Sequence, residues 1–187
     1  MKIGIFGGAF NPIHLGHLIS IEEVREKLSL DKVLFIPTYK PPHKKSLIDY
    51  QHRCNMVKLA IKNNPYFELC EIEKERRGVS FTINTLKELR KKYPKDTLYL
   101  IIGSDQYAVL NTWKQAALLN QYAKIVVMIR PGWQKVKKDL TDVFFVNISQ
   151  IDIASRKLRE DIKNRNSIKY KVSENVYEYI NKNKLYQ

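Results

Sequence analysis

Apolar positions along the chain fall into two patterns that alternate from end to end. Short continuous runs have the density of strands buried on both faces, and longer stretches repeat their apolar residues at helical spacing. Ile3, Ile5 and Phe6 mark the first strand, and Ile13 to Leu28 the first helix, with Leu18, Ile21, Val24, Arg25 and Leu28 in one stripe. Asp31 to Pro37 predicts a second strand that Pro37 closes. Asp49 to Lys62 predicts an amphipathic helix with Met56, Val57, Leu59, Ala60 and Ile61 turned mostly inward. The run PYFELCEIE reads as a third, partly exposed strand ended by ERRG, after which Ser80 or Thr82 caps a helix carrying Ile83, Leu86 and Leu89. Thr97 to Gly103 is the most apolar run and predicts a central strand. Further strands follow in KIVVMIRPG and VFFVNI, and the last helix spans Ser173 to Asn183. Alternating strands and helices with short connections imply an α/β fold, a doubly wound parallel sheet flanked by helices with a small C-terminal helical portion.

The connection after the first strand changes the picture from fold to chemistry. Gly7 and Gly8 let the backbone turn, Ala9 and Phe10 continue the loop, and Pro12 closes it before the helix. His14 and His17 stand three apart in the first helical turn, on one face beside unpaired backbone N–H groups. Such amides and the helix dipole attract anions, so the stretch reads as a phosphate site. A glycine turn by itself also serves merely to reverse the chain; its run directly into HLGH is what favours a site.

At 187 residues with 44% hydrophobic content, the chain has the length of one domain and enough apolar material for its core. No signal pattern is present, and no apolar run approaches the roughly 18 residues of a membrane span. Cys54 and Cys70 lack metal-type spacing and read as two reduced thiols, which points to the cytoplasm. A net charge of +14 attracts polyanions in general, but the lysines are scattered and no nucleic-acid-binding motif accompanies them, so no specific nucleic-acid partner is expected.

The GGAFNPIHLGH run resembles the nucleotidyltransferase superfamily that carries an HxGH signature, and among its members the bacterial nicotinate-nucleotide adenylyltransferases. PPHKK, HRCNMVKLAI, SFTINTL, IIGSDQYAVLNTW, VVMIRPG and the closing VYEYINKNKLY resemble that family in order, over nearly the whole chain. The resemblance implies a single Rossmann-like domain over residues 1–187 that transfers the adenylyl group of ATP to nicotinate mononucleotide, giving deamido-NAD and pyrophosphate. Phosphate attack on the α-phosphorus needs positioning and charge neutralisation more than a nucleophile on the protein. By resemblance, His17 stabilises charge on the α-phosphate, with His14 beside it on phosphate oxygens. Gly7, Gly8, Ala9, Phe10, Lys44, Ser155 and Arg159 hold the triphosphate, and Mg²⁺ rides on the ATP phosphates with no metal site built by the protein.

Several positions keep two readings. Lys44 is a phosphate ligand by resemblance or part of a solvated basic loop, and Arg53 reaches the same pocket or makes a surface salt bridge. Gly103 delivers Asp105 to the ribose hydroxyls, or Asp105 caps the following helix. Thr85 and Trp113 line the nicotinate pocket by resemblance, although Trp113 also has a core reading; Asn84 stands where the family usually has an acid. The second signature, normally ISSTxIR, is altered: Ser155 and Arg159 remain, Ala154 and Arg156 replace a serine and a threonine, and Arg156 either compensates on a phosphate or points to solvent. Nicotinamide mononucleotide, phosphopantetheine and glycerol phosphate with CTP stay open as alternative reactants. A homo-oligomer is possible, and a reading of another class is a non-catalytic nucleotide- or RNA-binding protein of this fold.

Overall fold

The computed structural model describes residues 1–42, 47–129 and 143–187. Six parallel strands lie in the order β3-β2-β1-β4-β5-β6: β1 Lys2–Gly8, β2 Lys32–Pro37, β3 Phe67–Leu69, β4 Thr97–Gly103, β5 Lys124–Ile129 and β6 Val143–Asn147. β1 pairs with both β2 and β4, so the strand order reverses between β1 and β4 and opens a crevice at their C-terminal ends.

Period-two alternation divides each inner strand between two cores. Phe6, Val33, Phe35, Ile101 and Val126 face one side of the sheet, and Ile3, Ile5, Leu34, Leu100 and Ile125 the other. The first face is covered by helices α1 Leu15–Leu28 and α2 Tyr50–Ile61, and later by α7 Ser155–Lys163 and α8 Glu174–Lys182, through Ile21, Val24, Met56, Leu158 and Val176. The second is covered by α4 Thr82–Lys92 and the short helices α5 Ser104–Tyr107 and α6 Leu119–Tyr122. Among the described residues no helix is long and apolar enough to cross a membrane.

Four local expectations need correction. Helix α1 starts at Leu15 rather than Ile13, with His14 as its N-cap. Gly7 and Gly8 belong to the strand, in register with Ile36 and Pro37, and the turn comes afterwards at Ala9–Pro12. The third strand stops at Leu69, and a one-turn helix α3 takes up Ile72–Arg76, because the alternation through Cys70 and Ile72 equally suits a turn whose second residue, Glu73, is captured by neighbouring donors. Phe81, not Ser80 or Thr82, is the N-cap of α4; Ser80 Oγ instead accepts from the Lys40 N–H.

Both cysteines are free and buried, and burial pushes the Cys54 thiol up to about 11 and that of Cys70 upward as well. Iodoacetamide at pH 8 is therefore expected to leave both thiols unmodified in the folded protein and to alkylate both after unfolding, as read by intact mass. Leu86 is fully buried between α4 and the sheet. Leu86→Ala should lower the unfolding free energy by about 2–5 kcal/mol in denaturant titration.

Candidate active site

A cavity of about 1200 Å³ follows the C-terminal edge of the sheet, from the starts of α1 and α7 to the start of α4 and the segment around Trp113. The loop leaving β1 forms one end. Phe10 adopts a left-handed backbone, φ 45°, at a cost of about 1–3 kcal/mol for a residue with a side chain. Burial of its ring against Phe6, Phe35 and His17 offsets that cost. The Asn11–Pro12 peptide is cis.

Oxygens of this loop are held from the protein side. Arg53 Nη1 donates to Ala9 O at 2.9 Å, Arg159 Nη1 to Asn11 O at 2.7 Å and Ser155 Oγ to Pro12 O at 2.8 Å. The Tyr186 hydroxyl donates to Asn11 Oδ1 at 2.9 Å, and burial pushes its pKa up, so it stays a donor. In a trans peptide the N–H points away from the C=O. Fixing the Ala9 and Pro12 carbonyls therefore turns the Phe10 and Ile13 amides to the opposite side, and neither amide bonds to another described group. The loop thus offers an anion N–H groups rather than lone pairs.

The two histidines meet at this end. Their rings stack with centroids 3.6 Å apart and planes 27° apart, and the Phe10 ring packs edge-to-face with His17, centroids 5.4 Å apart. The His14 N–H donates to His17 Nδ1 at 3.3 Å, which makes Nδ1 the acceptor and leaves Nε2 as the proton-bearing nitrogen. Gly16 makes the stack possible, since a Cβ there would lie 3.0 Å from His14 Nδ1 and 3.2 Å from Cε1. Not every first-turn amide is available to a ligand, for Leu15 N–H is taken by Lys171 O at 3.0 Å.

The altered second signature divides along α7. Ser155 and Arg159, four residues apart, share the face that meets the loop, and both line the cavity. Ser155 spends its one O–H on Pro12, so it clamps the loop and cannot also donate to a phosphate. Arg159 has further N–H groups to offer. Arg156 is turned by about 100° from Ser155 on the helix; its side chain is 84% exposed, lies 3.7 Å from Glu160 and does not line the cavity. Lys44 lies outside the described residues. Arg53 makes neither a pocket contact nor a salt bridge among the described residues, but is buried on backbone carbonyls.

At the other end, Trp113 is half-buried; it lines the cavity and also packs on the second core. Asp105 is exposed and accepts from Gln106 Nε2 at 2.9 Å, while the α5 N-cap is Gly103, without a side-chain bond. A Cβ at Gly103 would fall on Asp105 Oδ1, so the glycine leaves room for that carboxylate. Thr85 is 3% exposed and its hydroxyl donates to Glu73 Oε1 at 2.8 Å while accepting from Arg76 Nη1 at 3.1 Å. Its proton is therefore not available to a ligand carboxylate. The Thr82 and Ile83 amides at the start of α4 bond to no other described group, and Phe81 and Thr82 line the cavity. Glu73, which also accepts from Tyr39 N–H at 3.1 Å, is not distinguishable in EIEKER from a solvated charged turn.

Fold and site together define a nucleotidyltransferase: residues 5–163 match the cytidylyltransferase-like family. The chain is 38% identical over 187 residues, the full length of both, to a probable nicotinate-nucleotide adenylyltransferase of Thermus thermophilus. It is 41% identical over 195 aligned positions to the protein of the same name from Dictyoglomus turgidum, covering 100% of this chain and 96% of that one. The chain belongs to the nicotinate-nucleotide adenylyltransferase family. In fold it is similar to Plasmodium falciparum nicotinic acid mononucleotide adenylyltransferase complexed with NaAD, with a TM-score of 0.85 at 23% identity over 99% of this chain and 97% of that one.

Gly16→Ala isolates the histidine geometry. Displacing the His14 ring is expected to lower turnover by about 10²-fold. The helical preference for alanine, about 1 kcal/mol, works against any loss of stability. Steady-state rates beside thermal unfolding check the split.

Proposed function

We propose that this chain joins the phosphate of nicotinate mononucleotide to the adenylyl group of ATP, yielding deamido-NAD and pyrophosphate. One observation carries the reading: a single cavity has the Phe10 loop and a fixed His14–His17 pair at one end, and at the other Trp113 and the start of α4 at Phe81 and Thr82. An oxygen of the mononucleotide phosphate attacks the α-phosphorus, and the bond from that phosphorus to the oxygen bridging to the β-phosphate breaks. His17, donating through Nε2, stabilises charge on the α-phosphate, and His14 keeps it in place through the stack and the amide bond. The Phe10 amide and Arg159 hold phosphate oxygens, and Lys44 takes the same role on the resemblance alone. Ser155 serves by holding Pro12.

Asp105 accepts from ribose hydroxyls, Trp113 stacks on the pyridine ring, and the α4 amides receive the ring carboxylate. Among the described residues no cluster of three or more His, Cys, Asp or Glu side chains could hold a metal. The groups around the histidines are mainly donors, which suits Mg²⁺ held by phosphate oxygens and water rather than by this chain. When bound, Mg²⁺ neutralises phosphate charge.

Pyrophosphate release with ATP and Mg²⁺, comparing nicotinate mononucleotide, nicotinamide mononucleotide and phosphopantetheine at equal concentration, tests the assignment. Preference for the nicotinate form is expected, and equal or better use of the amide would overturn the acceptor. His17→Ala should reduce turnover by at least about 10²–10³-fold with an unchanged unfolding temperature; near-normal turnover would remove it from the chemistry.

A further inference from the structure

Arg53 is a full cation 2% exposed to solvent, and among the described residues no carboxylate lies within ion-pair distance of it. Its bonds run to backbone oxygens of separate segments: Nη1 to Ala9 O at 2.9 Å and Thr38 O at 2.8 Å, and Nε to Ile48 O at 3.3 Å. Ala9 belongs to the loop after β1 and Thr38 follows β2, so one planar group spans the C-terminal ends of two neighbouring strands. Burial lowers the Arg53 pKa, which marks the desolvation the fold accepts to keep the group there.

The Ala9 carbonyl shares its peptide plane with the Phe10 N–H, and Phe10 is the residue of this loop with a left-handed backbone. Releasing that carbonyl would let the plane rotate, relieve Phe10 and point a lone pair where an anion is expected. We propose that Arg53 is a positioning residue for phosphate binding: by holding the Ala9 carbonyl against Thr38 it keeps the Phe10 amide turned outward before ATP arrives. Arg53 touches no substrate in this account. A lysine cannot replace it, because an ammonium lacks the planar fork that reaches Ala9, Thr38 and Ile48 from one fixed position. The proposal rests on the reading that the cavity binds ATP.

Calorimetric titration of wild type and Arg53→Lys with ATP and, separately, with adenosine tests it. The expected result is a loss of about tenfold or more in ATP affinity, with adenosine affinity within about twofold of wild type, since adenosine carries no phosphate. Unchanged ATP affinity in Arg53→Lys would overturn the proposal. So would equal losses for ATP and adenosine, which would mark a merely structural role. If Arg53→Lys does not fold, Arg53→Gln, which keeps an amide donor without the charge, is read by the same criteria. Wild type that binds no ATP would instead defeat the functional reading itself.

Discussion

An anion site made of backbone needs its carbonyls out of the way, and that requirement organises much of this molecule. Peptide groups present a donor and an acceptor in opposite directions, so a loop can offer N–H groups to a ligand only if something else takes its oxygens. Here the takers are Arg53 from α2, Ser155 and Arg159 from α7, and Tyr186 beyond α8. The left-handed Phe10, the stacked histidines and the bare Gly16 are arranged around the loop so held. The helices on the first face of the sheet thus hold this loop as well as covering a core.

Different elements of the fold build the two ends of the cavity. Residues from β1, α1 and α7 line one end of the cavity, whereas α4 and the segment from Gly103 to Trp113 line the other. The Glu73–Thr85–Arg76 network ties α3 to α4 at that second end.

Much of this is legible in the sequence, for identifiable reasons. Continuous apolar runs reveal inner strands because both faces are buried, and the HLGH motif reveals its site because its spacing is local. What stays hidden depends on partners distant in sequence. Nothing around Arg53 distinguishes a buried guanidinium from a surface ion pair, since its acceptors are main-chain oxygens available at any residue. The motif brings Ser155 to the phosphate end, but the use of its only proton on Pro12 is a matter of orientation. Glu73 reads as strand because one helical turn and a short alternating run share the same apolar positions. Arg156, one step along α7 from Ser155, faces away because the helical turn separates their directions.

The clamps on residues 11 and 12 come from residues 155, 159 and 186, separations of 143, 148 and 175 positions. A growing chain that has left the ribosome only as far as β4 already contains HLGH and its sheet neighbours, but none of these three side chains. Its signature loop has no hold on Asn11 or Pro12 until the closing helices have been synthesised and docked. The loop therefore reaches its held form only after most of the chain has been made.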